Sequence, residues 1–235
     1  MFLLEHGASA NGPVTLSEDQ IPPLAVAALT LNLDSFFFDE LLSRGADAPV
    51  TSAAGATVLE YLLLHEGAGP QIRAVLKRFP TLLDPDRYPS ELILHLAITI
   101  GHSTVVSALL DGGADVSIED DEGYIAISRA ASKLNIECFE TVLAYEVRQM
   151  PANEKRNCRL GRALQIACSS GNLVAISLLL EAGTDSNFRF HMDVYIFAPY
   201  FWVWNRRLFY EKSFDRRFEL QKSYEIFKFH QALSL

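Results

Sequence analysis

The sequence predicts an all-α solenoid of about five helix-turn-helix units, followed by a divergent aromatic-rich C-terminal segment. Apolar anchors at Leu24, Leu59, Leu94, Ile127 and Leu164 recur at intervals of 35, 35, 33 and 37 residues, and a period of that size marks stacked supersecondary units. Three residues beyond an anchor, the pairs Ala27-Ala28, Ala130-Ala131 and Ala167-Cys168 place small side chains where two helices approach closely. Gly45, Gly113 and Gly183 each follow a leucine-rich stretch, the place where a helix ends in a left-handed residue that glycine adopts without steric cost.

The units are read in chain order. The clearest copy runs from Leu94-His95-Leu96-Ala97 through Gly101-His102, Val105-Val106 and Leu109-Leu110 to Gly113-Ala114-Asp115. The same frame returns as Leu164-Gln165-Ile166-Ala167, Gly171-Asn172, Leu178-Leu179-Leu180 and Gly183-Thr184-Asp185. Weaker copies begin at Leu24, at Gly55 to Leu59, with a second helix expected over Ile72 to Phe79, and at Gly123 to Ile127. Units therefore start near residues 22, 57, 92, 125 and 162 of a repeat domain spanning 1–187. Within each, branched residues at helical spacing form an apolar stripe that one unit alone cannot cover. Leu3 to Ala8 looks like the tail of a further unit at 1–9, so the expectation is that the chain starts inside a repeat and is a fragment of a longer protein.

These residues closely resemble the ankyrin repeat, whose period is about 33 residues. The resemblance implies a short helix, a tight turn at Gly101, a second helix ending in a leucine pair and a loop opened by glycine. It also implies that His95 hydrogen-bonds neighbouring loop backbone and that His102 is structural. Two departures stand out: Arg156 to Arg162 replaces the usual finger, so an irregular finger is expected there, and the second unit lacks the proline of the pattern.

Composition narrows the function. A net charge of -9 argues against nucleic acid, whose phosphates need clustered Lys and Arg, and favours a protein partner with a basic surface. Three cysteines, Cys138, Cys158 and Cys168, make no disulfide framework, and no Asn-x-Ser/Thr acceptor occurs, so an intracellular, cytoplasmic or nuclear location is expected. The N-terminus shows no secretory signal, and the run from Tyr195 to Trp204 falls far short of the roughly 20 residues of a membrane-spanning helix.

No constellation carries catalysis. The sequence has no phosphate loop, no Gly-x-Ser-x-Gly, no His-Glu-x-x-His and no Cys-x-x-Cys, and no catalytic, cofactor-binding or metal residues are assigned. Glu119 to Gly123 suggests a calcium loop, but Gly123 at the sixth position puts Ile118 first, where a ligand is needed. Cys168 reads as a packing thiol.

The expected function is a non-enzymatic protein-protein interaction scaffold. The resemblance implies a concave face of loop fingers and first helices, giving Tyr88, Glu91, Asp120, Asp121, Glu122, Tyr124 and Lys133 as candidate partner contacts. Leu64, His65, Thr99, Ile100, Ser132, Lys133, Ser169 and Ser170 are expected exposed at first-helix ends. Alternatives are a regulatory or targeting fragment of a multidomain protein, or a peripheral membrane adaptor acting through residues 188–235. That segment holds 15 of the 25 aromatics, with 8 basic and 5 acidic residues against 12 and 24 in residues 1–187. It reads as a divergent cap, an interaction tail or a non-native extension.

Overall fold

The computed structural model describes His6 and residues 9–12, 14–16, 19–29, 35–49, 51–52, 56–84, 92–151 and 153–185. Expectations for Tyr88, Glu91, most of 1–9 and all of 188–235 lie outside them. Among the described residues ten α-helices form five successive pairs: α1 (Pro23–Leu29) with α2 (Ser35–Ser43), α3 (Val58–Leu62) with α4 (Gly69–Arg78), α5 (Ile93–Ile100) with α6 (Ser103–Asp111), α7 (Ala126–Ser132) with α8 (Ile136–Gln149), and α9 (Glu154–Ser170) with α10 (Leu173–Glu181). A short antiparallel hairpin, β1 (Val14–Leu16) and β2 (Asp19–Ile21), precedes α1 with Thr15 opposite Gln20. It adds the only strands among the described residues to a fold that is otherwise helical.

The helices lie in two rows. First helices stack on first helices, as α5 on α7 and α7 on α9; second helices stack on second helices, as α4 on α6 and α6 on α8. The pattern in α6 shows why. Val105, Val106, Leu109 and Leu110 are buried while Thr104 and Asp111 face solvent, so one stripe enters the core and the opposite face stays wet. The core runs continuously from Leu24 and Phe38 to Ala175 and Leu179.

Helix ends follow local chemistry. Asn135, Asn153 and Asn172 cap α8, α9 and α10, their side-chain oxygens accepting the backbone N–H of Cys138, Arg156 and Ala175 at 3.0, 2.9 and 3.1 Å, which satisfies donors the helix itself leaves unpaired. At the other end, α2, α6 and α10 stop in the same way. The N–H of Gly113 donates to Leu110 O and that of Ala114 to Leu109 O, with Gly113 at φ 92°; Gly45 and Gly183 repeat the arrangement. This paired bond is the glycine-terminated stop that the sequence predicts.

Two expected boundaries differ. The second helix of the second unit starts at Gly69, three residues before Ile72, with Pro70 in its first turn, a position where the missing N–H of proline has no helical partner to lose. The fifth unit opens well before residue 162: the stretch expected as an irregular finger, Arg156 to Arg162, is the first half of α9. Asn153 caps this helix and Glu154 follows in its first turn, a favourable start next to the positive end of the helix dipole. Together with the long α8 it makes a helical hairpin. At its centre Arg159 donates to the fully buried Glu146 carboxylate and, at 2.7 Å, to Val116 O. Burial raises the Glu146 carboxyl above its ordinary range, against the pull of Arg159.

Two adjacent glycines separate two kinds of steric demand. A Cβ at Gly113 meets nothing within 4 Å, so Gly113→Ala costs only the left-handed backbone, about 1–2 kcal/mol. A Cβ at Gly112 falls 2.3 Å from Leu76 Cδ1, so Gly112→Ala overpacks the α4–α6 contact by about 1–3 kcal/mol. In urea unfolding, shortening Leu76 to Ala should relieve the Gly112 penalty and leave that of Gly113 unchanged. For the buried pair, Arg159→Met alone should cost about 3–5 kcal/mol, and most of it should return in the double variant with Glu146→Met.

Candidate interaction surface

The loop from Ile118 to Tyr124, between α6 and α7, is organised by one carboxylate. Asp120 Oδ1 accepts the backbone N–H of Glu122 at 3.0 Å and of Tyr124 at 2.9 Å, and Oδ2 accepts Arg129 Nε–H of α7 at 2.6 Å. The turn closes through Gly123 N–H to Asp120 O at 2.7 Å with Gly123 at φ 75°. Arg129 also lies over the Tyr124 ring, 4.8 Å from its centroid, and reaches the Glu122 carboxylate at 3.3 Å. Burial by itself would raise the Asp120 carboxyl, but the N–H groups and Arg129 outweigh it and hold the group below its usual range.

Neighbouring helices clamp the same loop. From α5, His95 Nε2–H donates to Tyr124 O at 2.9 Å, the loop-backbone bond that the resemblance implies. Burial lowers the His95 pKa, only partly offset by that carbonyl and by Asp120, so the ring is neutral at neutral pH. From α9, Arg162 bonds Glu119 at 2.8 Å and also Gly123 O. The candidate contacts thus divide. Asp120 and Tyr124 are engaged within the fold, the Asp120 side chain being only 5% exposed. Asp121 and Glu122 face solvent. Lys133 is half-buried at the end of α7, where its carbonyl accepts from Asn172 at 2.6 Å.

The first-helix row presents a second surface. Leu64, Leu96 and Ile100 are 59%, 46% and 44% exposed, joined by Thr99 and, two units on, by Ser169 and Ser170, whereas His65, Ser132 and Lys133, expected exposed with them, are half-buried. The residues capping second helices fix the spacing of these turns: His102 bonds Leu63 O at 3.0 Å, Asn135 bonds Gly101 O at 2.8 Å, and Asn172 bonds Ala131 O at 3.2 Å. His102 therefore has the structural place expected of it. Leu96 was hidden inside the Leu-His-Leu-Ala motif; the signal that reveals it is its place one residue past His95, on the opposite side of α5 from buried Leu94 and Ile98.

Reactive chemistry is weak on this surface. Burial pushes the Cys138 and Cys168 thiols up to about 11, which leaves little thiolate at neutral pH. Cys168 is half-buried against the core rather than fully enclosed. Among the described residues no three His, Cys, Asp or Glu side chains gather in a way that could hold a metal ion, and no helix is long and apolar enough to cross a membrane.

The clamp makes the fold acid-sensitive in a defined direction. Folded His95 has a pKa below that of the unfolded chain, so the unfolded state takes up the proton first as pH falls below about 6.5; stability present above that pH is lost below it. Asp120, with its pKa also lowered, adds a further loss as pH falls through the carboxylate range near 4. Chemical denaturation between pH 7.5 and 5.5 should show a falling midpoint for the native chain and a flatter one for His95→Gln, Gln165 being the residue at this place in the fifth unit.

The stacked helix pairs and the glycine stops recur along the chain, and the comparison with known families bears on that unit. A family model described as ankyrin repeats (3 copies) matches residues 94–190, which takes in α5 through α10. Over that span the chain is similar to the ankyrin-repeat family.

Proposed function

We propose that the chain is a non-enzymatic scaffold that binds a protein partner along its first-helix row. Ankyrin repeats are in general protein-protein interaction modules, and proteins built from them are typically non-enzymatic. The observation that carries the reading to particular residues is the exposed apolar set Leu64, Leu96 and Ile100. Buried aliphatic and aromatic anchors inside a polar rim supply most of the energy of protein interfaces.

The acidic loop has a smaller part in this reading than its sequence suggests. Glu119, Asp120 and Glu122 each have an arginine beside them, Arg162 or Arg129, so much of their charge is already answered within the fold. Asp121, exposed on the tip, and the 64%-exposed Glu122 side chain remain as rim groups for a basic residue of the partner. Charges of this kind act chiefly on association rate and selectivity. The partner surface that fits is an apolar ridge with a basic residue to one side.

Capture from cell extract by the full chain should be lost in the triple variant Leu64→Ser, Leu96→Ser, Ile100→Ser with helical content unchanged. Each truncation should weaken binding by roughly tenfold, about 1–2 kcal/mol. Asp121→Lys should weaken capture less and mainly at low salt. Equal capture by the triple variant and the native chain would remove the apolar row as the binding site.

A further inference from the structure

Each helix pair gives up one apolar side to the pair that follows, and the last described pair keeps that side open. In the third pair, flanked by neighbours on both sides, Ile98, Val106, Ala108 and Leu110 are all buried. Aligning Gly113 with Gly183, the same register in the fifth pair holds Cys168, Ile176, Leu178 and Leu180, each only half-buried. The inward positions of the fifth pair, Leu164, Ala167, Ala175 and Leu179, are buried as their counterparts are. The exposure therefore belongs to the outward side, and this side stays apolar, with Ile176 in place of Val106, Leu178 in place of Ala108 and a leucine kept at 180.

We propose that residues 188–235 fold back over this outward side of α9 and α10 and close the solenoid as a cap. Three features of the chain favour this occupant. The segment begins three residues after Asp185, the last described residue beyond α10, so it is joined to the fifth pair through a short stretch of chain. The segment is longer than the 33 to 37 residues of one unit and carries 15 of the 25 aromatics, the large apolar groups that an open helix face needs. Its 8 basic and 5 acidic residues oppose the 12 and 24 of residues 1–187, and Glu181, the last residue of α10, is exposed. A second copy of the chain would bring another acidic body to the same face. A terminal unit with an uncovered stacking side is otherwise a solubility problem for any solenoid.

The chain itself supplies the probe, because both of its tryptophans, Trp202 and Trp204, lie in this segment. In the full native chain the cap requires blue-shifted tryptophan emission and acrylamide quenching several-fold weaker than in the denatured chain, both independent of protein concentration. Ile176→Ser combined with Leu180→Ser should shift the emission to the denatured value while helical circular dichroism persists, and Leu96→Ser on the other surface should leave it unchanged. Should the double variant lose its helices, amide exchange on the unmodified chain decides, since a cap requires slow exchange within 188–235 together with α10. Emission like that of the denatured chain, or exchange at the unprotected rate, overturns the proposal. So does a blue shift that grows with protein concentration, which means a second copy, or one that appears only with anionic vesicles, which means a lipid surface.

Discussion

A pair of helices of eight and nine residues, such as α5 and α6, has too little interior to hold itself together, and everything else in this chain answers that limit. The apolar stripe of each pair is completed only by the neighbours on either side. Stacking in turn demands that successive pairs keep the same spacing and tilt. Two devices enforce it. Glycine stops reset the chain direction after α2, α6 and α10, and the side chains that begin α6, α8 and α10 reach back to carbonyls of the preceding turn. His102 differs chemically from Asn135 and Asn172, yet all three present a nitrogen at the same place.

This dependence explains which parts of the fold were legible in the sequence. The unit period, the paired small residues and Gly45, Gly113 and Gly183 are local patterns with a single structural meaning, and they recur. His95 was legible through resemblance, and its bond to Tyr124 O is present. The start of α9 was not, because its residues were compared with a finger pattern they do not follow. The local signal was there in Asn153-Glu154 and a run without proline, but what settles the helix is Arg159 meeting Glu146 and Val116, contacts between residues far apart in sequence.

The interaction surface was legible to a lesser degree. The acidic stretch from Glu119 to Glu122 looks like an open charged patch when read along the chain. Its arginine partners come from α7 and α9, so the inward role of Asp120 emerges only once those helices are packed. Leu96 shows the opposite error of reading. As a leucine in an apolar motif it resembles core, but α5 is buried by its neighbours on one flank and leaves Leu96 on the other.

Replacing a loop finger by the first half of α9 also changes how the solenoid comes apart. In an ideal repeat array each unit touches only its neighbours, and the ends fray one unit at a time. Here Arg159 of the fifth pair holds Val116, in the exit loop of the third, and Glu146, on the second helix of the fourth. Peeling α9 away would take from the buried Glu146 carboxylate its charged partner, so Arg159 ties the last three pairs to one another beyond nearest-neighbour stacking.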